Sequence, residues 1–189
     1  MSRVAVVDYG MGNILSVQRA LEKVGAEVTL ASTPHEIDYA EKVLIPGVGA
    51  FEDGMDGLHR LGLVAPIRRA AYRGVPILGI CLGMQMLFNE SNEWRYCVGM
   101  GLIPGSVTKL VARKLPNIGW LPVGGRRYYF LHSYAARTEH SIADAIHEGD
   151  RFCAIARNGS VYGTQFHPEK SGQDGLRLLE QFVTAGTIS

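Results

Sequence analysis

Apolar residues in the first half of the chain fall in short, nearly charge-free runs separated by stretches of helical spacing. Arg3–Val7, Glu27–Leu30, Val43–Ile45 and Val75–Ile80 read as strands. A run as uniformly apolar as Val75–Ile80 suits a strand buried on both faces of a parallel sheet. Between the first two strands, Ile14, Val17, Leu21 and Val24 recur on one helical face. They predict a helix over Ile14–Val24, with Asn13 as its N-cap and Gly25 just past its end. Thr33-Pro34 has the pattern of a short helix start. A further helical region runs from the Pro46–Phe51 loop to Arg73, where Gly74 stops it. Met84, Leu87 and Phe88 continue with helical spacing after Cys81. Strand and helix thus alternate to about Asn89, the signature of a parallel sheet covered on both faces with ligands at the carboxyl ends of its strands.

After Ser91 the texture changes. Val107–Val111, Arg127–Leu131, Arg151–Arg157 and Val161–Phe166 read as strands separated by turns, which predicts an antiparallel extension or a second small sheet. A last helix over Gln173–Ala185 turns Leu176, Leu179, Phe182 and Val183 inward. The expected fold class is α/β: a mostly parallel central sheet flanked by helices, with an antiparallel extension in the C-terminal half. No internal repeat or linker divides it, so residues 1–189 are expected to form a single domain.

Composition narrows the function classes. Lys+Arg 19 against Asp+Glu 18 leaves a net charge of +1, so no global field directs the chain to nucleic acid or membrane. Arg126-Arg127-Tyr128-Tyr129 is too short a basic run for a nucleic-acid patch and reads as a hairpin arm. The three cysteines Cys81, Cys97 and Cys153 are odd in number and lack framework spacing, which points to a reducing compartment, the cytoplasm. No signal-peptide pattern and no apolar run of membrane length is present. No paired Cys or His spacing suggests a metal, and no cofactor is expected.

The candidate chemistry begins at Gly79-Ile80-Cys81-Leu82-Gly83. A lone cysteine in an apolar stretch is commonly a core residue. Glycines two residues to either side, at a strand-to-helix turn, also make this the thiol counterpart of a nucleophile elbow. At a helix N-terminus the dipole and free N–H groups favour a thiolate. His167-Pro168-Glu169 supplies a possible base. By itself it reads more readily as a surface turn, but Pro168 biases His167 to extended backbone, where residues i and i+2 point the same way. The carboxylate would then hold one ring nitrogen and leave the other to take the thiol proton. His132-Ser133-Tyr134 follows a strand and either lines the pocket or forms a turn, whereas His35, His59, His140 and His147 sit among polar neighbours and face solvent. Gly10-Met11-Gly12 begins like a dinucleotide fingerprint, but Leu15 stands where the third glycine belongs.

With its Gly79–Gln85 elbow and its His167-Pro168-Glu169 motif, the chain resembles the class I glutamine amidotransferases, which use a Cys-His-Glu triad. More narrowly it is similar to the glutaminase subunits of imidazole glycerol phosphate synthase. The further motifs are Asp8–Asn13, Pro46–Phe51, Gly101–Gly105, Ile118-Gly119-Trp120 and His132-Ser133-Tyr134. The resemblance implies a flavodoxin-like fold and a thioester mechanism in which Cys81 attacks the amide of L-glutamine. In it, His167 is base then acid, and Glu169 orients His167. It further implies an oxyanion hole from the N–H groups of Gly49 and Leu82. Gly47, Gln85, Glu93 and the backbone around Ser133-Tyr134 hold the substrate's amino-acid end. The implied partner is a (β/α)8-barrel cyclase that receives the ammonia, with Asn13, Trp120 and Tyr134 towards it. The Pro46–Gly49 loop is expected to complete the hole only when the cyclase holds its ribonucleotide. Asn117 departs from the pattern, since many members carry a histidine there, at what is expected to be an interface position. The competing readings are another amidotransferase glutaminase, such as that of pyridoxal phosphate synthase, and a cysteine hydrolase that does not use glutamine. A non-catalytic nucleotide-binding module is the third.

Overall fold

The computed structural model describes residues 2–189. In chain order the first half contains β1 (Ser2–Val7), α1 (Ile14–Lys23), β2 (Ala26–Ala31), α2 (Pro34–Asp38), β3 (Val43–Ile45), α3 (Phe51–Arg60), α4 (Val64–Tyr72) and β4 (Ile77–Ile80). The second half contains α5 (Leu82–Gln85), β5 (Glu90–Ser91), β6 (Cys97–Val98), β7 (Ser106–Lys109), β8 (Asn117–Val123), β9 (Arg126–His132) and β10 (Tyr134–Arg137). It continues with β11 (Ser141–His147), β12 (Asp150–Asn158), β13 (Val161–Thr164), a 3₁₀ turn (Pro168–Lys170) and α6 (Gly172–Ala185).

The main sheet has the order β11-β12-β13-β4-β3-β1-β2. Every pairing from β13 to β2 is parallel, and β12 and β11 add an antiparallel edge. Side chains alternate between the two faces, as the strand period demands. Val43, Ile45 and Ile77 pack on α3 and α4, while Val4, Val6, Leu44, Leu78 and Ile80 pack with Val17 and Leu21 of α1 and Leu179 and Phe182 of α6. Both faces are therefore closed, and β4 lies near the middle with every residue buried. Four short strands form a second sheet, β10-β7-β5-β6, and β8 and β9 form a separate hairpin. Among the described residues, no helix is long and apolar enough to cross a membrane.

The Asn13 cap is present, its Oδ1 accepting from Ser16 N–H at 3.3 Å. Several local expectations need correction, among them the strand read from Val75, which begins at Ile77, and the strand read to Phe166, which ends at Thr164. The helical region before Arg73 is two helices, broken where Gly62 adopts φ +67°. The helix after Cys81 ends at Gln85, because the carbonyls of Met86, Leu87 and Phe88 accept bonds from Met100, Leu102 and Gly101 instead of continuing it. The strand begun at Val107 stops at Lys109. The last three departures are cases of tertiary hydrogen bonding or a glycine turn overriding local spacing.

Candidate active site

Cys81 and His167 follow the carboxyl ends of two adjacent parallel strands, β4 and β13, whose last residues Ile80 and Thr164 are in register. The Cys81 N–H donates to Thr164 O at 2.7 Å, which ties the two strand ends together. Cys81 itself has φ +54° and ψ −108°, a backbone state that an L-residue adopts only when its surroundings impose it. The imposing contacts are close approaches at the flanking glycines. A Cβ on Gly79 would come 2.6 Å from Gly83 O, and one on Gly83 would overlap Ile45 O outright. The elbow therefore depends on both glycines sterically, beyond any preference for a turn.

His167 is held by its backbone N–H to Tyr129 O at 2.9 Å and by Ser171 Oγ donating to its carbonyl at 2.6 Å. Its Nδ1 donates to Glu169 Oε1 at 2.7 Å, and both side chains are 2% exposed. The pairing is as expected, and His167 is extended at φ −98° and ψ 97°, but the extended chain stops there. Pro168–Lys170 is a 3₁₀ turn, and it curls the carboxylate back onto the ring. Burial opposes charge on the imidazole, but Cys81 and Glu169 outweigh it and raise the His167 pKa to about 9. Among the described residues, buried His167 Nε2 and Glu169 Oε2 make no hydrogen bond. A ring nitrogen left free beside a thiol is what proton exchange with that thiol needs.

A cavity of about 270 Å³ opens on Cys81, lined by Val48, Gly49, Leu82, Gln85, Glu93, Trp94, Pro116, Leu131, His132, Ser133 and Tyr134. Most of the residues expected at the substrate are thus brought together. Gly49 has φ +105° in an exposed loop turn, where a side chain would also crowd Met11. Gly47 is not in the lining. It packs against the elbow, and a Cβ there would come 2.7 Å from Gly83 N and from Leu82 Cβ. Tyr9 holds the same loop by donating to Pro46 O at 2.7 Å. Glu93 Oε2 accepts from Phe51 N–H at 2.8 Å, and burial raises its carboxyl pKa against that bond. An acceptor carboxylate, half buried at the cavity wall, can oppose an ammonium group.

The residues expected to face a partner are more scattered. Tyr134 is at the cavity, Trp120 is exposed on β8 with its ring edge-on to Tyr129 at 6.0 Å, and Asn13 is exposed at the start of α1. Asn117, expected at an interface position, is instead 2% exposed. Its Nδ2 lies 3.0 Å from His132 Nε2, and His132 Nδ1 lies 2.9 Å from Tyr134 O. A carbonyl can only accept, so Nδ1 carries the proton and Nε2 accepts from Asn117. Burial lowers the His132 pKa to about 4, leaving the ring neutral. His35 and His59 are exposed, whereas His140 and His147 are half buried, and His147 Nε2 reaches Lys114 O at 3.0 Å. Sequence reading overlooked Tyr9, Leu131 and Gln165. Two of them had a visible signal, Tyr9 inside the Asp8–Asn13 motif and Gln165 two residues before His167.

Residues 5–185 match the family model described as glutamine amidotransferase class-I. The chain is 44% identical to imidazole glycerol phosphate synthase subunit HisH of Moorella thermoacetica, covering 96% of this chain and 94% of that one. It is 41% identical to the subunit HisH 1 of Legionella pneumophila strain Lens, with coverage of 97% and 99%. Among solved structures, PurLQS from Thermotoga maritima superposes with a TM-score of 0.76 at 22% identity, covering 97% of this chain and 98% of that one. That last likeness is one of fold.

Proposed function

The chain belongs to the class-I glutamine amidotransferase family and, within it, to the imidazole glycerol phosphate synthase subunits, and on that premise we propose that Cys81, His167 and Glu169 hydrolyse L-glutamine to glutamate and ammonia. The ammonia serves histidine biosynthesis. His167 Nε2 first takes the Cys81 thiol proton, and the thiolate sulfur adds to the side-chain amide carbon of glutamine. Negative charge develops on the amide oxygen, for which the Leu82 N–H and, once the loop has completed the hole, the Gly49 N–H are the donors. Each such donor contributes about 3–4 kcal/mol to the transition state. His167 gives the Nε2 proton to the departing nitrogen, and ammonia leaves behind a glutamyl thioester. The same nitrogen then takes a proton from the attacking water, and glutamate departs as the thiolate re-forms. Glu169 keeps the Nδ1 proton in place throughout. Gln85, Glu93, Ser133 and Tyr134 hold the amino-acid end, with Glu93 opposite the ammonium. Gly47 contributes by close packing of the loop on the elbow.

The acceptor is a (β/α)8-barrel cyclase, with Asn13, Trp120 and Tyr134 as the residues turned towards it. The Pro46–Gly49 loop completes its donor set when the cyclase holds its ribonucleotide. Residues 1–189 act as one amidotransferase domain in the cytoplasm, where its thiols stay reduced. The observation that supports the reading best is the buried His167–Glu169 pair, with Nε2 unengaged at the strand end adjoining Cys81. Its test is ammonia release from L-glutamine by the purified chain with and without the cyclase and its ribonucleotide. A low basal rate that rises with both and vanishes in Cys81→Ala is expected. A fast rate indifferent to the cyclase would point to another acceptor, and no turnover under any condition would end the glutaminase reading.

A further inference from the structure

The triad does not account for Gln165. This residue follows β13, is 0% exposed, and its side chain is buried beneath the cavity floor rather than lining it. A buried amide has to be partnered at both ends, so the direction in which it points is set by its neighbours. Here the direction can be traced from one group that has no choice. The Tyr134 carbonyl is an acceptor only, and Gln85 Nε2 lies 2.8 Å from it. That fixes the Gln85 amide with its NH₂ inward. The same nitrogen lies 3.1 Å from Gln165 Oε1, which leaves Gln165 Nε2 facing Cys81 Sγ at 3.7 Å. Turning Gln165 over would set two NH₂ groups against each other. Turning both amides would set the Gln85 oxygen against the Tyr134 oxygen. The backbone of β10 therefore dictates a donor on the sulfur, two amides away.

From this geometry we propose that Gln165 is a positioning residue for Cys81, its Nε2–H held on Sγ by Gln85 so that the sulfur is favoured and aligned as a thiolate. Leu131 O stands 3.8 Å from the same sulfur, an acceptor suited to S–H. The two neighbours thus favour opposite forms of the sulfur. A donor to an ionised acceptor makes the stronger bond, so Gln165 tips the balance towards the thiolate. The titratable groups packed around Cys81 are His167 and Glu169 from the turn after β13, Tyr9 from the loop after β1, His132 from β9 and Glu93 across the cavity. Gln165 differs from all of these in supplying a donor that does not change with pH. The inference rests on Cys81 being the nucleophile.

The test is the rate at which iodoacetamide alkylates Cys81, resolved from Cys97 and Cys153 by peptide mass spectrometry. The comparison is between the full chain and its Gln165→Met variant, which keeps side-chain length and removes the N–H. Alkylation about tenfold slower near pH 7 that recovers to within about twofold near pH 10 is expected, because only the thiolate reacts. Glutamine turnover in the complex should fall by a similar factor in kcat with KM nearly unchanged. Equal alkylation at all pH, or a loss of equal size at both ends of the range, would overturn the proposal and leave Gln165 as packing. Should Gln165→Met fail to fold, Gln85→Met leaves Gln165 in place but frees its direction. A drop of about threefold, confined to neutral pH, is expected there, and an unchanged rate would overturn the proposal. Alkylation needs no glutamine. A chain that showed the pH-dependent effect but released no ammonia would refute the glutaminase reading and spare this one.

Discussion

Two histidines buried near Cys81 have nearly the same local design and different charge. His132 and His167 are 7% and 2% exposed, and each turns its Nδ1 to an oxygen two residues further on. For His132 that oxygen is the Tyr134 carbonyl, and the pKa falls to about 4; for His167 it is the Glu169 carboxylate, and the pKa rises to about 9. Burial opposes charge on both rings. A carbonyl dipole does not offset that penalty, whereas a full negative charge with Cys81 beside it does. The second nitrogens differ in the same sense. The Nε2 of His132 is occupied by Asn117, and that of His167 is free. One ring is fixed as a neutral spacer and the other can carry a proton.

The largest effect that would sharpen this contrast is at the group His167 serves. Cys81→Ala should lower glutamine turnover by at least about 10⁴-fold while leaving the fold intact, as read by ammonia release and circular dichroism. Next comes Glu169→Gln, which gives His167 a neutral Nδ1 partner like the one His132 has. Turnover should fall about 10³-fold. The alkaline limb of the pH–rate profile, set near pH 9 by His167, should move to lower pH. A limb that stays near 9 would mean that Glu169 is not what holds the charge.

Stability carries the contrast in two slopes of opposite sign. Between pH 6.5 and about 9 the folded chain keeps a proton on His167 that the unfolded imidazole has released, so stability falls as pH rises. Between pH 6.5 and about 4 the unfolded chain takes a proton that folded His132 refuses, so stability falls as pH drops. Each contribution is about 3 kcal/mol at most, and urea midpoints across the range should peak near pH 6.5. The smallest effect is at Asn117. Asn117→Leu leaves His132 Nε2 without a donor and should reduce stability by about 1–2 kcal/mol, with turnover changed little.

The same contrast shows what the sequence carries in readable form. The parallel half was legible because Val43–Ile45 and Val75–Ile80 are continuous apolar runs and α1 keeps one apolar stripe. The elbow was legible because two glycines must flank Cys81 for steric reasons that any chain obeys. The role of His132 was left open because its neutrality comes from Asn117 and from the Tyr134 carbonyl, a backbone atom with no signature in the sequence. Asn117 pairs with His132 across the β8–β9 hairpin, and only that register puts it inside. The 3₁₀ turn at Pro168–Lys170 gave the expected pair by an unexpected geometry, since a proline before Glu169 is compatible with both extended chain and a tight turn. Gln165 was passed over because its direction is decided by residues from β10 and α5, distant in sequence.

The most direct measurement is a titration of the histidine ring nitrogens by NMR on chain labelled with ¹⁵N-histidine. The account predicts that His167 is an imidazolium at neutral pH and loses its proton near pH 9, while His132 stays neutral, with its proton on Nδ1, until about pH 4. If His167 were neutral at pH 7, or if the two rings titrated together near 6.5, the charge split around Cys81 would be absent and the account would be contradicted.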